Sequence, residues 1–580
     1  MAPEGVGATA TERDTILQEP AAGWSAPGMM RDLIERYTVD QRVLREFHNI
    51  PLAEAALDRM GVFLEVWRNQ VDGIDVEALD LDGRIDWALL RNDISYQLRR
   101  LPCERERNRR IREALPIADT IVALEESRRS MAQPSPESTA KQLAGLAEAA
   151  DAERERLQRQ TDGDAAAPSE DPAAPLSEAE ARRAAGALDQ LMATLKSWFE
   201  FHGHYKPEHA WWLTPVYRKA RKALRRHAKL LRKRGKMDDE EALVGEPIGR
   251  EALLSDMARE LLAYGPEELV TIADRELAWC LQEIEKAAAE LGYGPDWRAA
   301  LEHVKGQHVP LGKQDELVAS LAREAIEYVD LHELVTIDDL CRELWYVDMI
   351  SRENQKKWPY QAYGYNRILV SFPTQDMDHE TALTSTRSNN IHFMRAVTHH
   401  ELIPGHHLQI YMARRHKAYR EVFATPFLGE GWCLHWEMLL WDLGFARGPE
   451  DRIGMLFWRM HRCARIVISL RFHLGEMTPD EMVDYLVANV GHEREAAAGE
   501  VRRYIGSEYP PLYQCAYMIG ALQIRALYRD LVENGPLSPR EFHDSVLREN
   551  SIPVELIRAC LNGQMLGRDF APSWRFVEGV

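Results

Sequence analysis

Apolar residues recur every three or four positions through most of the chain, the spacing that gathers them on one face of an α-helix. Between about Met30 and Pro102, three such stretches (MRDLIERYTVDQRVLREF, LAEAALDRMGVFLEVWRNQV and DWALLRNDISYQLRRL) carry charged residues between the apolar ones and predict a helical opening module. PEELVTIADRELAWCLQEIEKAAAEL predicts a further helix, opened by Pro266 with Glu267 and Glu268 at its positive end. Thr478 and Ser538, each before a Pro and acidic residues, read as N-caps of later helices. RILVSFP, 367–373, is the one convincing strand candidate, β-branched and stopped by Pro373. There is no internal repeat, and the expected fold class is mainly α.

Two segments break this pattern. TDGDAAAPSEDPAAP, 161–175, has almost nothing to bury and predicts a mobile insertion at about 158–177. RKARKALRRHAKLLRKRGK, 218–236, holds eleven Lys or Arg and no acid. Its Ala220, Ala223, Leu224, Leu230 and Leu231 sit near helical spacing, so it reads as an amphipathic helix with a solvated basic face; nucleic-acid or membrane contact is the other use of such a face. Residues 1–29 are expected to be a disordered tail. Residues 30–580 are expected to form one helical unit, with an N-terminal part, 30–245, and a part that carries the candidate chemistry, 246–580.

The 580 residues include 72 Lys or Arg and 92 Asp or Glu, a formal charge of −20. That balance disfavours nucleic acid as a partner, because phosphate binding needs a cationic surface. The first residues contain no basic segment followed by an apolar run, and no run of about 18 apolar residues occurs. Seven scattered cysteines with no C-x-x-C pair read as reduced thiols. The expectation is a cytoplasmic protein without a membrane partner.

Histidine makes up only 20 residues, yet four fall within nine positions in HHELIPGHH: His399, His400, His406 and His407, with Glu401 among them. Zinc hydrolases use H-E-x-x-H on a helix, where two imidazoles share a face and the Glu serves as base. Here the position four after His400 is Pro404. On a regular helix His400 and His407 would share a face but lie about 10.5 Å apart along the axis, and His400 and His406 would point about 120° apart. Pro404 removes a donor and Gly405 permits unusual dihedrals, so LIPG can break the helix and carry a second His back toward the first. A third ligand is available in Glu430, within TPFLGEGWCLHWE and 24 residues beyond His406. Two His with a Glu is a known catalytic zinc set. Glu437, two turns further on the same face, suits an outer carboxylate that orients a His.

HHELIPGHHLQ, GEGWCLHWE, RCARIVISLRFH, YPPLYQCAYMIG and REFHDSVL, in that order, resemble the blocks of domain-of-unknown-function family 885, a bacterial group similar to gluzincin metallopeptidases. More distantly, HHELIPGHHLQIY followed by GEG looks like the zinc segment of the angiotensin-converting-enzyme and oligopeptidase families, with two residues added before the Gly-His step. The resemblance implies one Zn²⁺ per chain on His400, His406 and Glu430, Glu401 as the base, and His406 rather than His407 as ligand. It also implies a large two-lobed helical shell around a deep cleft, with a small β-sheet beside the metal-binding helix. RILVSFP would be the edge of that sheet, where a peptide could add as a strand. The chain departs from the family pattern at Ser469, Leu470 and Arg471, where an Asp-Thr-Gly is usual, and at Pro511, Leu512, Tyr513 and Gln514, where Pro-Gly-Gln-Ala is usual.

The expected activity is zinc-dependent hydrolysis of peptide or peptide-like amide bonds, with a peptide or small amide as substrate. Tyr517, His473 and Tyr513 are candidates for the oxyanion donor, Tyr517 foremost because it occupies the matched Tyr of its block. Arg465 could pair with a substrate carboxylate. The rival readings are a non-hydrolytic metalloenzyme, for which two His and a carboxylate also suit iron, and a catalytically silent binding protein. No G-x-S-x-G elbow, P-loop or dinucleotide-binding Gly motif occurs.

Overall fold

The computed structural model describes residues 28–162, 176–355, 360–375, 377–506 and 509–580. The expected disordered tail, up to residue 27, and most of the expected insertion, 163–175, lie outside the described residues. Helix Pro136–Asp162 runs up to that insertion, and helix Glu178–Tyr205 follows it, capped by Ser177 and Glu180 in a reciprocal pair.

The architecture is mainly α, with one small sheet. Where one unit was expected from residue 30 onward, the chain divides into two compact units, and 71–96 groups with 247–580. The other unit, 36–70 with 97–246, is built on helices Pro136–Asp162, Glu178–Tyr205 and Pro207–Arg234 around Leu143, Leu188, Trp198, Leu224 and Leu231. The basic segment lies in the third of these helices, with Ala220, Ala223, Leu224 and Leu231 buried and Arg218, Arg221, Lys222 and Arg225 exposed.

In the unit that includes 247–580, capping boxes open helices Pro479–Val490 and Pro539–Arg548 at Thr478 and Ser538, each closed by a Glu three residues on. The sheet has strands β1 (Tyr346–Met349), β2 (Gln361–Tyr363) and β3 (Arg367–Val370) in the order β1-β3-β2. β1 runs parallel to β3 and β2 antiparallel to it. RILV is thus the central strand and not the expected edge. The reason is its composition: Ile368 and Val370 are fully buried against Met394 and Leu402, whereas YVDM and QAY, on its two sides, are more polar and partly exposed. Among the described residues, β1 and β2 each have one side without a strand partner.

Candidate metal centre

Five helices carry the site: α1 (Ile391–Glu401), α2 (His406–Ala413), α3 (Pro426–Asp442), α4 (Pro449–His473) and α5 (Tyr513–Tyr528). Asn390 caps α1 by accepting from the His392 and Phe393 amides, and Thr425 caps α3 through the Phe427 amide. α1 presses against Phe457 and Trp458 of α4, with Phe393 stacked on Phe457 at 4.2 Å. α3 and α5 cross where both lack a side chain: a Cβ on Gly431 would fall 2.5 Å from the Gly520 carbonyl carbon, and one on Gly520 would fall 1.9 Å from the Phe427 oxygen. This close crossing sets Glu430 beside Tyr513.

Between α1 and α2 the helix breaks at LIPG. The Gly405 amide donates to the His399 oxygen and the His407 amide to the Leu402 oxygen, six and five residues back instead of four. A Cβ on Gly405 would lie 1.8 Å from the His400 oxygen, so the close return needs glycine. Trp432 of α3 pins the break by donating to the Pro404 oxygen at 2.8 Å. The result sets the His400 and His406 rings 5.0 Å apart and nearly perpendicular.

Both rings converge on Glu430. Its Oε2 lies 3.4 Å from His400 Nε2 and 3.3 Å from His406 Nε2, and is buried without a properly aligned hydrogen bond. Ligand atoms on one tetrahedral ion with bonds of about 2.0–2.1 Å sit about 3.3–3.4 Å apart, and the two separations from this orphaned oxygen are of that size. The other oxygen, Oε1, accepts from the Tyr513 hydroxyl. Tyr513 therefore orients the carboxylate instead of standing free as an oxyanion donor. Burial opposes charge on Glu430, yet the two histidines hold its carboxyl well below the usual range.

Glu437 accepts from His400 Nδ1 at 2.7 Å and sits 3.4 Å from Arg462, so His400 Nε2 is left with its lone pair toward Glu430. Burial works against a charged His400, but Glu430 and Glu437 outweigh it and lift the imidazole to about 9 in the absence of an ion. Glu401 is the last residue of α1 and 9% exposed, and its carboxylate makes no ion pair or hydrogen bond among the described residues.

Other expected residues fall differently. Both ring nitrogens of His407 are engaged: Nε2 donates to the Cys341 oxygen at 2.9 Å and Nδ1 faces the Tyr363 hydroxyl at 3.3 Å. Tyr517 stacks on His400 at 6.1 Å between ring centres, beside the cluster. His473 ends α4, about three turns or roughly 16 Å beyond Arg462, and is not brought to the cluster. Its two ring nitrogens are buried without partners, and burial lowers it to about 4. Cys433 was not singled out from sequence, yet its sulfur lies within 4.8 Å of the ligand atoms of His400 and His406. The signal was its place one turn after Glu430. Burial pushes the Cys433 thiol well up, whereas the Glu430 carboxyl is held low.

A family model described as a bacterial protein of unknown function, DUF885, matches residues 51–561. The chain is a member of DUF885. Among solved structures, this DUF885 protein is similar to a candidate lipoprotein of unknown function from Shewanella oneidensis, with a TM-score of 0.66 and 16% identity over 93% of this chain and 100% of that one. It is also similar to a candidate lipoprotein from Colwellia psychrerythraea, with a TM-score of 0.55 and 15% identity over 88% and 91% of the two chains. At such identities the likeness is one of fold. No curated protein matches the chain.

Proposed function

We propose that this DUF885 protein is a zinc-dependent hydrolase of peptide or peptide-like amide bonds, related in its site to the gluzincin peptidases. The observation that carries the reading is the approach of His400 and His406 Nε2 to one buried, unpartnered oxygen of Glu430, with Glu437 behind His400. His400, His406 and Glu430 would hold the ion. When bound, zinc supplies Lewis-acid polarisation of a carbonyl and makes water more acidic.

The remaining work belongs to the chain. Glu437 accepts the hydrogen bond from His400 Nδ1 and the Tyr513 hydroxyl donates to Glu430 Oε1, so that each ligand presents one atom. Glu401, free of internal partners, accepts a proton from the attacking water and delivers it to the leaving nitrogen. Tyr517, whose ring stacks beside His400, would donate to the developing oxyanion. We assign the protein to the cytoplasm on its cysteines, which form no disulfide among the described residues. Because the two solved relatives are described as candidate lipoproteins, recovery in the cell envelope on fractionation would overturn that assignment.

The test is metal analysis of protein purified without chelator, paired with a mixed-peptide digest read by mass spectrometry. Wild type and Glu401→Gln should retain about one zinc per chain, and Glu430→Gln should lose it. Of the zinc-loaded forms, Glu401→Gln should be inactive. Iron in place of zinc, or zinc with no cleavage of any peptide, would sink the hydrolase reading in favour of other metal chemistry.

A further inference from the structure

We propose that helix Pro207–Arg234 holds the protein, by its outward basic face, against a bilayer surface rich in anionic phospholipid. This does not rest on the hydrolase reading. Arg218, Lys222, Arg225, Lys229 and Lys233 are all exposed and follow one another at three- or four-residue steps. At about 100° per residue they fall within about 80° of one another and form a stripe about 22 Å long. None of the five makes an ion pair among the described residues, whereas Arg226 and Arg232, nearby on the same helix, pair with Asp151 at 2.7 Å and Asp189 at 2.5 Å. No acid interrupts the segment 218–236, so a concentrated positive face stands on a chain whose formal charge is −20. Its complement is a dense anionic surface.

Two aromatic side chains favour lipid. Trp211 continues the stripe one step back along the helix and is 73% exposed, and the preceding helix ends at Tyr205, 78% exposed. Indole and phenol rings settle at the headgroup level of a membrane, and clusters of Lys and Arg on a helix draw anionic headgroups. Duplex nucleic acid would use the cations and leave both rings in water. The opposite side of the helix is already spent: Leu213, Ala220, Leu224 and Leu231 pack in the core with Leu143 and Leu188. The helix therefore keeps its apolar side in the protein and adsorbs through its charges and the two rings, reversibly and with a strong dependence on salt. Such adsorption needs no spanning segment, and no described helix is long and apolar enough to cross a membrane.

The experiment is sedimentation of the full-length protein with vesicles of phosphatidylcholine, alone or with about 30% phosphatidylglycerol, at about 0.1 M salt. Binding to the anionic vesicles should be about 10-fold tighter or more, and about 0.5 M salt should release the protein. Arg218→Gln, Lys222→Gln, Arg225→Gln, Lys229→Gln and Lys233→Gln together should weaken it by about 100-fold or more. Tyr205→Ser with Trp211→Ser should weaken it by about 10-fold at unchanged charge. All seven side chains are exposed, so both variants should keep the wild-type melting temperature. Equal binding to neutral and anionic vesicles, no binding to either, or undiminished binding by either variant would overturn the proposal. Capture of duplex RNA as tightly as the anionic vesicles, at the same salt, would overturn it in favour of nucleic acid. Zinc content and peptide cleavage in solution should be the same in the five-Gln protein and the wild type, so failure of the hydrolase reading would show separately from failure here.

Discussion

His400 donates its Nδ1 proton to Glu437 at 2.7 Å, and both side chains are buried. The carboxylate fixes both the tautomer and the ring orientation of the imidazole, leaving Nε2 turned toward Glu430. Replacing Glu437 by Gln keeps the size but removes the charge. Zinc affinity, measured by competition with a coloured chelator, should fall by about 10- to 100-fold.

Adjacent histidines should behave oppositely. His406→Ala should abolish zinc binding, since its Nε2 faces Glu430 at 3.3 Å. His407→Ala removes bonds to the Cys341 oxygen and the Tyr363 hydroxyl. It should lower the melting temperature while bound zinc, counted by elemental analysis, is retained. Zinc loss in both variants to the same degree would contradict this division.

The α3–α5 crossing should tolerate no side chain. Gly431→Ala puts a Cβ 2.5 Å from the Gly520 carbonyl carbon and forces the helices apart. We expect about 1–3 kcal/mol of destabilisation in denaturant titration. Zinc affinity should weaken as well, because Glu430 and Tyr513 sit on the two sides of that crossing.

Glu260 should make stability depend on pH. Burial is the chief cause that lifts its carboxyl to about 7, against a bond from the Thr425 hydroxyl. Below the usual value of 4.5, folded and unfolded chains both hold the proton and its full contribution is present. As pH rises through about 7 the unfolded chain has already released the proton, so that contribution is lost. Relative to Glu260→Gln, the wild type should lose about 3 kcal/mol of stability between pH 4 and pH 8, read from paired denaturant titrations. A constant difference across that range would refute the assignment.

The helical class, the caps at Thr478 and Ser538, and the candidate set His400, Glu401, His406, Glu430 and Glu437 were legible in the sequence, because periodicity, capping and ligand spacing depend on residues a few positions apart. Even the break at LIPG could be anticipated from Pro404 and Gly405. Other features needed the packing of elements distant in the chain. RILV is central because β1 and β2 arrive on both its sides, and a single strand does not show how many neighbours it has. Tyr513 reaches Glu430 only because Gly431 and Gly520 let two helices touch, and His473 is remote because α4 carries it about three turns past the cluster. Which histidine faces the cluster was decided in the same way: partners from residues 341 and 363 occupy His407, and His406 is left toward Glu430. Local pattern determined which residues were available for chemistry; long-range contacts, whose energies no single segment contains, decided which of them meet.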